Sequence, residues 1–90
     1  VGEGANAGDT SKIRKALEGA AGIKSVIHMK TLYLGPDELM VAAKIGVDAS
    51  ASAQDIASLI DVAEANVRVA VPAARVIYLE PDIARVAAKK

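Results

Sequence analysis

Gly35-Pro36-Asp37-Glu38 runs directly into Leu39-Met40-Val41-Ala42-Ala43-Lys44-Ile45-Gly46-Val47, in a chain of 90 residues. Glycine, proline and aspartate each favour a turn for a separate reason: free φ, preset φ, and a side chain that bonds its own backbone. After the turn, Leu39, Val41, Ala43, Ile45 and Val47 alternate with other residues and so share one face of a pleated strand. Before it, Ile23 to Leu34 is rich in β-branched and large apolar residues, broken by His28 and Lys30, and suits a second strand. Two strands joined by four turn residues predict an antiparallel hairpin.

On either side of the hairpin the period changes from two to 3.6. Asp9, Thr10 and Ser11 are capable N-caps, and Ile13, Ala16, Leu17 and Ala20 follow at helical spacing up to a stop at Gly22. A first helix is expected from about Thr10 to Ala20. Downstream, Ser50 or Ser52 caps a second helix whose stripe is Ile56, Leu59, Ile60, Ala63, Val67 and Ala70, with Ile60 near its centre. Pro72 ends this helix because it has no backbone N–H to give. A third strand, Ala74 to Glu80, follows after a short connection, and Pro81 is expected to close it.

The order α-β-β-α-β predicts an α+β, ferredoxin-like domain that lacks the first strand of that fold. Its three-stranded sheet should carry both helices on one face. Residues 1–8, with three glycines, read as a linker; residues 9–83 are the domain, and residues 84–90 a C-terminal tail. Such a sheet leaves an open outer face and a free edge, which a second copy of the chain would cover. Dimerisation is therefore expected.

Composition narrows the function. Cysteine is absent, which excludes disulfides, thiolate zinc sites and a thiol nucleophile. Eleven basic and eleven acidic residues cancel, and Tyr33 and Tyr78 are the sole aromatics, so no nucleic-acid partner is expected. No apolar window approaches the ~20 residues of a membrane span. No nucleophile–base pair or convergent pair of acids suggests an enzyme.

Several segments, in order, resemble the cytoplasmic C-terminal domain of cation diffusion facilitator transporters. Gly2-Glu3-Gly4-Ala5 resembles the small-residue and acid signature after the last membrane helix of that family. Lys30-Thr31 and Leu34-Gly35-Pro36-Asp37 resemble its first strand and hairpin turn. Val71-Pro72-Ala73-Ala74-Arg75, running into Ile77-Tyr78-Leu79-Glu80-Pro81-Asp82, resembles its closing helix, strand and acid-proline end.

The resemblance implies the dimerisation and regulatory domain of a homodimeric antiporter. That antiporter moves zinc, manganese, iron or similar divalent ions against protons. The domain would lie on the cytoplasmic side of the membrane, joined through residues 1–8 to the transmembrane part of the same chain. It also implies metal ligands on the first strand, in mid-second strand and at the end of the third. The corresponding neighbourhoods here offer His28, then Ala43, then Tyr78 and Glu80. Of these His28 and Glu80 can ligate, so binding of zinc or manganese is expected to be weak or absent. The alternative is a free-standing ferredoxin-like module that binds a ligand or regulates.

Each candidate also has a plainer role. His28 suits a solvated strand residue, and Glu80 and Asp82 around Pro81 suit a solvated strand end. Asp37 and Glu38 suit turn chemistry, Met29 and Met40 packing, and Lys89-Lys90 a solvated tail.

Overall fold

The computed structural model describes residues 2–84. Helix α1 spans Ala7–Glu18, strand β1 Ser25–Gly35, strand β2 Glu38–Val47, helix α2 Ala53–Ala70 and strand β3 Val76–Ile83. The strands form one sheet in the order β1-β2-β3, antiparallel between β1 and β2 and parallel between β2 and β3. This is the expected ferredoxin-like arrangement. Leu39, Val41, Ala43, Ile45 and Val47 are buried in one core with Ile13 and Leu17 of α1 and Leu59, Ala63 and Val67 of α2. Both helices thus cover the same face of the sheet.

The first helix starts earlier than its cap candidates suggested. Asn6 is the N-cap, its side chain accepting from the Asp9 N–H at 2.7 Å, and Asp9 places an acid in the first turn. Asp9 there complements the partial positive charge of a helix start. Ala7 and Gly8, read as linker, belong to that turn. Gly19, not Gly22, caps the end. Gly22 instead makes a turn at φ +95°, where an added Cβ would lie 2.9 Å from Leu59 Cδ2. That conformation favours a residue without Cβ.

Ser52 caps α2 in a reciprocal box: its hydroxyl accepts from the Asp55 N–H, and the Asp55 carboxylate accepts from the Ser52 N–H. The buried stripe is Leu59, Ala63 and Val67. Ile60, expected at its centre, is half-buried at the margin. All six residues of the expected stripe face the core, with Leu59, Ala63 and Val67 buried along its middle and Ile56, Ile60 and Ala70 packed against it.

Strand β3 does not stop at Pro81. It continues to Ile83, with Pro81 opposite Ile45 and Asp82 opposite Gly46. Ala84 donates to the Val47 carbonyl at 2.8 Å, so by alternation Pro81 turns its missing N–H to the open edge of β3. An edge strand tolerates proline in that orientation. Of the predicted tail, residues 85–90, including Lys89-Lys90, lie outside the described residues.

The opposite edge is partly covered by the chain itself. Residues 2–5 run alongside β1: Gly2 donates to the Tyr33 carbonyl at 3.2 Å, Tyr33 to the Glu3 carbonyl at 2.7 Å, and the Ala5 N–H to Thr31 Oγ1 at 2.8 Å. Gly4 permits the approach, since a Cβ there would sit 3.1 Å from both the carbonyl and the hydroxyl oxygen of Thr31. The stretch read as a plain linker is a strap on the edge strand.

Candidate functional site

Strand pleating decides what the open face presents. With the odd-numbered residues of β2 buried, Met40, Ala42 and Lys44 point away from the helices. The ladder sets three transverse rows on that outer face: Leu32, Met40 and Val76; Lys30, Ala42 and Tyr78; His28, Lys44 and Glu80. The two expected metal candidates therefore share a row, on strands at opposite sides of β2. Tyr78 is 65% exposed, and Ile27 beside His28 is 47% exposed. Ala42 forms a low floor beneath a hollow of about 250 Å³, walled by His28, Lys30, Lys44, Tyr78 and Glu80.

A bulge aims His28. Pairing skips Ile27, between Val26 opposite Ile45 and His28 opposite Lys44. Without that extra residue, alternation from the half-buried Val26 would turn His28 toward the core. Met29, next along, packs against the core opposite Ala43.

The middle-strand position differs from the one expected. Ala43 is buried on the helix side, and the residue standing between His28 and Glu80 is Lys44. The Lys44 ammonium lies 3.9 Å from Glu80 Oε2, so the carboxylate already has a cationic neighbour. Two strand spacings, roughly 10 Å, separate the backbones of His28 and Glu80. Asp82 accepts from the Ile83 N–H at 2.8 Å. Asp37 is exposed in the turn, and Glu38 opens β2. The structure brings none of these three acids into the row.

As a metal centre the face is poorly furnished. Among the described residues, no group of three or more His, Cys, Asp or Glu side chains comes together as a metal site. Zinc takes about four nitrogen, sulfur or carboxylate donors at roughly 2.0–2.3 Å. One imidazole and one carboxylate with an ammonium between them do not fit that requirement within a single chain.

A larger hollow of about 580 Å³ lies at the start of α2, beside Gly22, Lys24, Asp48, Ser50, Leu59 and Val62. Its chemistry is a turn. The Asp48 carboxylate accepts from the Ser50 hydroxyl at 2.6 Å and the Ser50 N–H at 2.8 Å, and the Lys24 ammonium stands 4.0 Å away. The two hydrogen bonds, and then the lysine, hold the Asp48 pKa below its ordinary 3.8.

This three-stranded sheet, with two helices on one face and an open second face, is a ferredoxin-like fold. Among solved structures the chain matches those of MamM-CTD, cytoplasmic domains of the cation diffusion facilitator family. A variant of MamM-CTD with one histidine replaced by alanine aligns at TM-score 0.82 and 20% identity, covering 90% of this chain and 100% of that one. A cadmium form of another variant aligns at 0.81 and 19%, covering 88% and 98%. A manganese form aligns at 0.78 and 21%, covering 86% and 96%. At these identities the likeness establishes the fold. No protein-family model matches the chain, and no curated protein matches it.

No helix among the described residues is long and apolar enough to cross a membrane.

Proposed function

We propose that this chain is the cytoplasmic dimerisation and regulatory domain of a divalent metal cation/proton antiporter of the cation diffusion facilitator type. The observation that carries the proposal is the fold, matched to the MamM-CTD structures over nearly its whole length. The ordered motifs from Gly2-Glu3-Gly4-Ala5 to Glu80-Pro81-Asp82 support the same family. In this reading the domain sits on the cytoplasmic side of the membrane, tied to the transmembrane part of its own chain. Its work is regulatory rather than catalytic.

Two copies meet through the open sheet face, where Tyr78 supplies exposed apolar area and His28 and Glu80 flank it. Burying such a face would offset the small core of a domain this size. Any zinc or manganese held here takes its donors from both copies, since a two-fold axis doubles a pair of ligands to four. The related domains have been solved in nickel, manganese, cadmium and copper forms. With one imidazole and one carboxylate per chain, binding is weak.

The coding sequence upstream of Val1 tests the transporter assignment. It should encode about six apolar spans of ~20 residues. An upstream sequence without them would contradict the assignment.

A further inference from the structure

We propose that Lys44 supplies the outer face with a cation of its own, in the place between His28 and Glu80 that a divalent metal would otherwise hold. This rests on the reading of that face as the surface where two copies meet. Register puts Lys44 at the centre of the row, directly opposite His28 on one side and Glu80 on the other. Its ammonium is 3.9 Å from the Glu80 carboxylate. Lys30 stands on the same face one row away.

A metal ion reaching both His28 and Glu80 in one chain would sit over Lys44, within a few ångström of a like charge. A lysine ammonium has three donors and no lone pair, so it cannot join a ligand set. It can do the other thing a metal does for a carboxylate, which is to cancel its charge. Two copies then bring their Glu80 carboxylates together without mutual repulsion and without a metal. The domain is a clamp that stays closed at every metal concentration, instead of one that metal draws shut.

The test uses the 90-residue chain as wild type, Lys44→Gln, Lys44→Ala, Lys44→Arg and Lys44→Gln/Glu80→Gln. Manganese and zinc are titrated calorimetrically, and sedimentation is followed in EDTA with and without added metal. Removing one unit charge about 4 Å from the carboxylate should tighten divalent-ion binding about five- to tenfold in Lys44→Gln and Lys44→Ala. Lys44→Arg should match wild type, and the double variant should lose the gain. The wild-type dimer should be indifferent to EDTA, while Lys44→Gln should dissociate in EDTA and recover with manganese. Equal metal affinity in wild type and both neutral variants would overturn the role given to Lys44, even if all of them are dimers. A monomeric wild type would instead overturn the meeting of two copies through this face, and calorimetry would still decide on Lys44.

Discussion

Pro81 of β3 stands opposite Ile45 of β2 inside the parallel ladder, so the proline lies within the strand and does not terminate it. The acids around it have separate roles. Glu80 turns to the outer face toward Lys44, and Asp82 accepts from the N–H of Ile83. Because the edge-facing position of Pro81 needs no ladder bond, Pro81→Ala should change stability by less than about 1 kcal/mol. Urea unfolding measures this. A loss above about 2 kcal/mol would mean that the ring holds the strand end in place.

The core gives a graded series. Leu17 is fully buried, and Leu17→Ala should cost about 2–5 kcal/mol, enough to unfold most of a domain this small. Ile60 is half-buried, and Ile60→Ala should cost about 1 kcal/mol. Asp61 is exposed, and Asp61→Ala should stay within about 0.5 kcal/mol. Denaturation midpoints should fall in that order. Equal effects from Leu17 and Asp61 would contradict the packing.

The strap makes a local forecast. A valine at position 4 would push on the Thr31 oxygens and lift residues 2–5 from β1. In Gly4→Val the Tyr33 amide, which donates to Glu3, should exchange with solvent faster, while the amides of β2 keep their protection. Unchanged Tyr33 protection would show that the strap tolerates the side chain.

Asp48 gives a pH dependence with a definite sign. Its folded-state pKa lies below 3.8, so its contribution is complete above that value and is lost as pH falls through the lower, folded-state pKa. Asp48→Asn should therefore be less stable than wild type at pH 6. The gap should close on acidification below pH ~3.8. A gap that persists at pH 2 would assign the effect to turn geometry and not to charge.

What the sequence made legible was whatever rests on local spacing. The period-two run Leu39 to Val47 identifies the buried face of β2, and Pro72 marks the end of α2 one residue past its cap. Less legible were the features set by contacts between distant segments. The skipped Ile27, which turns His28 outward, depends on pairing with β2. Lys44 could be placed on the outer face by alternation alone, yet its position between His28 and Glu80 needs the register of all three strands. The strap was missed because Gly2 and Gly4 suggest freedom, whereas here Gly4 permits close approach.

In the proposed dimer two copies meet through the outer sheet face, and Tyr78, exposed on that face, is the residue whose substitution tests it. Sedimentation of wild type and Tyr78→Asp across a dilution series, both checked as folded by circular dichroism, is the direct measurement. Wild type should be a dimer at micromolar concentration and Tyr78→Asp a monomer, since a carboxylate would replace the exposed apolar ring of that face. A wild type that stays monomeric at high micromolar concentration, or a Tyr78→Asp variant that dimerises as tightly as wild type, would contradict it.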